Sequence, residues 1–300
     1  MWNERSFQKR NHMKKNVLIT GTSSGVGYES ALLFAKNGFK VYASMRNLTK
    51  GEKLKEQAAA EDLDIHLIQL DVTDLDSIQA AVDTIITADG KIDMLINNAG
   101  AGFGKTTEQA SIEEIKWVTD VNYLGVVYCC RAVIPQMRKQ RSGHIINITS
   151  VGGLVGQPFN ELYCGAKFAV EGYTESLAAY VSDPFNIQFS IVEPGGISTE
   201  FMKSAIANTA SAEGQLASGE YLPIFQQYIA GTQARAGEGA AQVYQTGAEV
   251  AAVILEVAQQ EQPPLRVRTS EWAEALCHLK TAADPDGTKL VNQVKSSFLS

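Results

Sequence analysis

Cysteine is scarce in this chain of 300 residues. The four present, Cys129, Cys130, Cys164 and Cys277, fall in no metal-binding or disulfide-framework spacing. They read as reduced thiols of a cytoplasmic protein. No apolar run approaches the roughly 18–20 residues that a membrane-spanning helix needs. Positive charge is not in excess: 26 Lys and Arg stand against 33 Asp and Glu, a formal charge of −7 with both signs interspersed. That balance argues against a nucleic-acid-binding face. Residues 1–15 carry Arg5, Lys9, Arg10, Lys14 and Lys15, but no apolar stretch of signal-peptide type follows them. Residues 1–13 therefore read as a disordered arm, and residues 14–300 as one domain.

Hydrophobic residues make up 45% of the chain, enough for a large core. Asn16–Thr20 is a short apolar run of the kind found in buried parallel strands. Gly21-Thr22-Ser23-Ser24-Gly25-Val26-Gly27 follows, then a helical pattern that stops at Asn37-Gly38. In a strand–turn–helix context, such glycines serve a phosphate site. Gly21 allows the tight turn, Gly25 lets the backbone approach a pyrophosphate, and Gly27 lets the helix pack closely. Ser23, Ser24 and Val26 complete that turn, and the helix start presents free N–H groups to the phosphates. Further strands are expected at Lys40–Met45, Ile65–Leu70, Ile92–Ile96, Gly143–Thr149, Ile187–Val192 and Leu265–Val267, with helices between them. This alternation implies a doubly wound, mostly parallel α/β sheet with helices on both faces.

The unusual residues gather at the strands' carboxyl ends. The second strand runs into Arg46, where folds that bind NAD carry an acidic residue. Here none is present, and a guanidinium suits an added phosphate. With Ser24 assisting, NADP(H) is expected, and NAD(H) is the alternative. Asp71, beside Val72, either bonds an adenine amino group or caps the next helix, where Thr73-x-x-Asp76 resembles a capping box. Asn97-Asn98-Ala99-Gly100 is small enough for a ribose or nicotinamide to lie against the backbone. Asn122 and Gly125 interrupt a helical segment over 112–140 against propensity, which points to a local distortion or a functional carbonyl. Pro135 in the same segment suggests a kink. Pro194-Gly195 redirects the chain after the sixth strand and is followed by Ile197 and by Thr199, within reach of a cofactor carboxamide.

Ser150 closes an apolar run, and Tyr163 and Lys167 sit four apart at the start of a helix, on one face. A phenol beside an ammonium becomes a usable acid–base group, because the positive charge lowers its pKa. A serine hydroxyl can hold a substrate oxygen between them. Such a trio suits carbonyl/alcohol redox chemistry. Residues 196–246 lose regular pattern and read as a lid rather than a second domain. Phe159, Tyr221 and Phe225 either face an apolar substrate or pack among themselves. Residues 263–300 read as a C-terminal helical extension. No metal-ligand cluster is visible.

Taken together, Thr20–Gly27, Asp71, Asn97–Gly100, Asn122, Ser150, Tyr163-x-x-x-Lys167 and Pro194-Gly195 resemble the short-chain dehydrogenase/reductase family over residues 14–260. The stretches Val41–Arg46 and Gly152–Asn160, with Tyr163-Cys164, resemble its 17β-hydroxysteroid/retinol dehydrogenase branch. Steroid-specific members use a lid histidine, and residues 196–246 contain none. The resemblance implies a Rossmann-type fold and hydride transfer between a nicotinamide and an apolar ketone or secondary alcohol. It implies Tyr163 as general acid/base, with Lys167 tuning Tyr163 and bonding the nicotinamide ribose. Ser150 would orient the substrate oxygen, and Asn122 would hold a water next to Lys167. It further implies a homodimer or homotetramer paired through the helices near 112–140 and 162–181. A catalytically silent cofactor-sensing protein is the alternative of a different class.

Overall fold

A computed structural model describes residues 14–197, 218–237 and 244–299. The first strand, β1 (Asn16–Thr20), is buried at every position and leads through the glycine turn into α1 (Gly25–Lys36). β2 (Lys40–Met45), α2 (Glu52–Ala60), β3 (Ile65–Gln69), α3 (Leu75–Asp89) and β4 (Met94–Asn97) complete the first half. The second half contains α4 (Ile112–Thr119), α5 (Gly125–Gln140), β5 (Gly143–Ile148), α6 (Glu161–Phe185), β6 (Ile187–Glu193) and the short β7 (Gly196–Ile197). Then come α7 (Leu222–Gly237), β8 (Tyr244–Gln245), α8 (Gly247–Gln259), β9 (Arg266–Arg268), α9 (Glu271–Thr281) and α10 (Thr288–Phe298). The main sheet has the order β3-β2-β1-β4-β5-β6-β9, with every pairing parallel. This is the doubly wound Rossmann-type arrangement.

Alternation along each strand divides the core in two. Leu18, Tyr42, Leu95, Ile145 and Phe189 face a cluster completed by Ile78, Ala81, Val82 and Ile85 of α3 and by Val126 and Val133 of α5. Val17, Ile19, Val41, Met94 and Ile146 face the other, with Ala31 and Phe34 of α1 and Val250 and Ile254 of α8.

Several local expectations need correction. The cap of α3 is Asp74, whose side chain accepts from Asp76 N and Ser77 N. Asp71 does not cap that helix, because Thr73 N and Thr73 Oγ1 both donate to its Oδ1 at 2.9 and 2.8 Å. The helix carrying Tyr163 runs through Pro184 to Phe185, where Asn186 ends it in the left-handed region. The stretch without regular pattern contains α7. The distortion expected around Asn122 is a π-helical turn, Asp120–Leu124, between α4 and α5. Such wide turns occur mostly as single insertions inside α-helices. α5 itself continues through Pro135 to Gln140.

His144 on β5 is buried with its Nε2 3.0 Å from Ser190 Oγ. Burial, reinforced by Lys15, pushes its pKa down to about 3. An unfolded histidine titrates near ~6.5, so the folded chain binds fewer protons between these values. Its contribution to stability is complete above that unfolded value and is lost as pH falls toward 3. In urea unfolding, His144→Gln should therefore flatten the acid limb relative to the parent by on the order of 3 kcal/mol between pH 7 and pH 4. Parallel pH profiles for the two proteins would refute this.

Candidate active site

The glycine turn is held by the last residue of β1. Thr20 Oγ1 accepts from Asn98 N at 3.0 Å and from Ala99 N at 2.9 Å. Asn98 Nδ2 then donates to Thr20 O at 2.8 Å and Gly21 O at 3.0 Å. Asn98 thus spends its amide on the turn. Gly21 has φ +72°, and a Cβ on it would lie 2.8 Å from Ala99 Cα. A Cβ on Gly27 would lie 2.3 Å from Gly21 O and 2.4 Å from Asn98 Nδ2. No larger residue fits either place without moving backbone.

What this turn presents is an uncapped helix start. Ser24 occupies the N-cap of α1 without a side-chain cap bond, and the first turn holds no acidic residue. Ser24 is exposed, Ser23 and Val26 are partly exposed, and Gly25 has φ +58°. Free N–H groups and the positive end of the helix dipole fit a pyrophosphate. Arg46, directly after β2, is exposed, and its guanidinium has no partner among the described residues. Val72 is buried. Asn122 is fully buried, and its amide pairs with the backbone of Ala101, Oδ1 accepting at 3.0 Å and Nδ2 donating at 2.9 Å. Its Nδ2 also donates to Val118 O at 3.0 Å. Its side chain is therefore committed to holding the loop after β4.

Ser150 follows β5 and caps a short 3-10 turn, accepting from Gly152 N at 3.0 Å. Its side chain is hydrogen-bonded to that of Tyr163. One turn along α6, Lys167 Nζ lies 5.7 Å from the centre of the Tyr163 ring and donates to Ile148 O at 2.9 Å. A Cβ on Gly100 would lie 3.1 Å from Asn122 Oδ1 and 3.7 Å from Lys167 Nζ, so all four predicted polar residues converge here. The expected lowering of the Tyr163 pKa is not what this geometry produces. Burial pushes the phenol well above its usual range, and the Ser150 bond opposes this only in part. Burial likewise pulls Lys167 down to about 8.

Pro194 O accepts from Val151 N at 2.9 Å, and a Cβ on Gly195 would lie 2.9 Å from the Trp272 ring, which pins that bend. Ile197 pairs with Gln245 between β7 and β8. Thr199 lies outside the described residues. Phe159 is buried at φ +62°, its ring 5.1 Å from Phe225 and 5.6 Å from Tyr228. Phe225 thus packs on Phe159. Beside them a cavity of about 540 Å³ is lined by Thr106, Glu108, Phe159, Glu161, Tyr221 and Ile224, among others. Tyr221 donates to Glu108 Oε2 at 2.6 Å. No metal-binding group of His, Cys, Asp and Glu occurs among the described residues, nor any helix long and apolar enough to cross a membrane.

A sheet edge with an anion-ready helix start on one side and a protonated phenol on the other is the layout of a nicotinamide-dependent oxidoreductase acting on CH–OH/C=O groups. The family described as short chain dehydrogenase matches residues 15–210, and the chain belongs to it. It is 38% identical over 283 residues to retinol dehydrogenase 8 of Bos taurus, covering 92% of this chain and 88% of that protein. It is 35% identical over 281 residues to 17-beta-hydroxysteroid dehydrogenase type 1 of Homo sapiens, covering 92% and 83%. These relatives place it in the branch its motifs resemble. The solved structure of ElxO with NADP bound matches with a TM-score of 0.69 at 27% identity, over 86% of this chain and 98% of that one.

Because Asn98 donates to two carbonyl oxygens, Asn98→Asp would face them with an acceptor. It should lower stability by about 2 kcal/mol or more, and by more than Asn98→Ala. Equal urea midpoints for parent and Asp variant would reject this role.

Proposed function

We propose that this protein is an NADP(H)-dependent reductase of apolar ketones, with Tyr163 as the group that protonates the carbonyl oxygen. The observation that carries this reading is the placement of the half-buried phenol, bonded to Ser150 with Lys167 one turn along the same helix. A hydroxyl in hydrogen-bond reach that can give its proton to the carbonyl oxygen is what reduction requires. The same group, once deprotonated, would serve alcohol oxidation. Ser150 would donate a second hydrogen bond to the substrate oxygen, and Lys167 would bond the nicotinamide ribose. The nicotinamide, when bound, exchanges the hydride with the substrate carbon.

Gly21, Ser23, Ser24, Gly25, Val26 and Gly27 would cradle the pyrophosphate. Arg46, with Ser24, would bind the added phosphate that distinguishes NADP from NAD. Asp71 and Val72 would flank the adenine. Ala99 and Gly100 would lie along the ribose, and Pro194, Gly195, Ile197 and Thr199 would meet the carboxamide end. The substrate would enter near Phe159 and Tyr221, with Phe225 supporting Phe159 from behind. A steroid, a retinoid or another bulky carbonyl compound fits the chemistry of that aromatic wall. The reading includes a cytoplasmic protein that pairs with itself through α5 and α6.

A panel of ketones, steroids and retinoids followed by NADPH absorbance, with NADH as control, tests the activity. Tyr163→Phe should lower turnover at least about a hundredfold while NADPH still binds. Retention of most activity would end the acid role. Separately, Arg46→Ala should weaken NADPH binding by about tenfold or more and leave NADH nearly unchanged. Equal losses for both cofactors would remove Arg46 from the phosphate site.

A further inference from the structure

One turn along α6 from Lys167 lies Glu171, 4% exposed, with partners on three other segments. Its Oε1 accepts from Thr149 Oγ1 at 2.6 Å, at the end of β5 and next to Ser150. Its Oε2 accepts from Arg266 Nε of β9 at 3.3 Å. A Cβ on Gly153, in the turn that Ser150 caps, would lie 3.0 Å from Glu171 Oε1. Arg266 also pairs with Glu175 and lies 2.8 Å from Glu193 Oε1. Arg268 pairs with Glu193 and Glu274. Glu193 is fully buried and directly precedes Pro194.

Buried charges cost several kcal/mol each in desolvation, and apolar residues of similar volume often replace them without loss. Core packing alone gives no reason for charges here. What they touch does: the Ser150 turn, the Lys167 helix and the strand leading to Pro194-Gly195.

We propose that Glu171 is a positioning residue for the reaction. Its carboxylate holds the Ser150 turn against α6 and supplies the negative charge that keeps Lys167 an ammonium, and Arg266 of the C-terminal extension anchors it. This rests on the proposed roles of Ser150, Tyr163 and Lys167 and adds a residue that touches neither substrate nor cofactor.

The surrounding groups are consistent. Lys167 faces Tyr163 and Glu171 on its own helix, Ile148 O on β5 and Gly100 after β4. Glu171 faces Arg266 on β9, Glu193 on β6, Thr149 and, through its field, Cys277 on α9. Burial, together with the charge on Glu171, pushes Glu193 up to about 9. Burial raises Glu171 too, and the bonds from Thr149 and Arg266 oppose that rise. Burial pulls Lys167 down to about 8 while Glu171 opposes the pull. Removing that charge lets burial act alone, so the ammonium would lose its proton at lower pH.

The test uses the full chain carrying lysine labelled with ¹³C at the ε-carbon, without cofactor or substrate. The Lys167 signal is assigned by its loss in Lys167→Met. In the parent it should titrate near 8. In Glu171→Gln the proton affinity should fall about tenfold or more, and the alkaline limb of kcat/KM should move the same way. Thr149→Val, which deletes the hydroxyl's bonds to Glu171 and to Val192 O but leaves the carboxylate in place, should shift the titration in the same direction by less. It decides the matter if Glu171→Gln does not fold. A folded variant with an unmoved Lys167 titration would overturn the proposal. Failure of every ketone to turn over would instead defeat the proposed function and leave this titration to be judged by itself.

Discussion

Three successive residues at the end of β5 each hold a different turn of α6. Asn147 Nδ2 donates to Thr174 Oγ1 at 2.8 Å, Ile148 O accepts from Lys167 Nζ at 2.9 Å, and Thr149 Oγ1 donates to Glu171 Oε1 at 2.6 Å. All are buried. Sliding the helix by one turn, about 5.4 Å, would break every one and leave polar groups without partners. Each such group costs roughly 1–3 kcal/mol when buried unpaired. Apolar packing alone tolerates small slips far better. The polar bonds therefore specify one register, and that register sets Tyr163 against Ser150. Asn97, which donates to Asn147 Oδ1 at 2.8 Å, extends the same constraint to β4.

The protonation states follow from this placement. A helix pinned so close to the sheet buries the groups it carries, and burial favours the neutral form of each. It drives Tyr163 upward and Lys167 downward, so their proton affinities move apart. The phenol is thereby a reservoir for a proton at neutral pH, and the amine beside it is close to exchange. A lone lysine so placed would give up its charge. The carboxylate of Glu171 acts against this, and the bonds from Thr149 and Arg266 favour its charged form against the upward pull of burial. The electrostatics of the site are thus inseparable from the last strand of the sheet.

How much of this was legible in the sequence varies with the range of the interaction involved. β1 and β2 coincide with their expected spans, because a buried parallel strand is an apolar run with polar ends. The face of α3 formed by Ile78, Ala81, Val82 and Ile85 was equally plain from spacing. The choice between Thr73 and Asp74 as the cap was not, since both are good capping residues. It was decided by Thr73 turning back on Asp71. The helix Leu222–Gly237 was missed because its Gly, Gln and Ala residues make no strong apolar stripe. Arg266 and Glu171 stand 95 residues apart, and no local pattern joins them. The Tyr163 pKa was misjudged for a related reason. The neighbouring charge could be read from the four-residue spacing, whereas the depth of burial is a property of the folded core.

The departures from local preference share one address. Asn122 sits in a π-helical turn, Gly21 and Gly25 take positive φ, and Phe159 occupies the left-handed region at φ +62°. A bulky side chain there is strained by about 1–3 kcal/mol and persists only where its surroundings over-determine it. The surroundings are visible: Phe225 and Tyr228 of α7 close on the Phe159 ring, and Tyr228 accepts from Asn160 Nδ2 at 3.3 Å. A helix from the region expected as a lid thus holds the strained entry to the helix that bears Tyr163. Any movement of α7 would release Phe159 toward an ordinary conformation and loosen the first turn of α6. The register bonds of β5 lie farther along and would be unaffected. The site therefore combines a fixed half, tied to the sheet, with a half whose shape depends on α7, and the cavity beside Phe159 lies against the second.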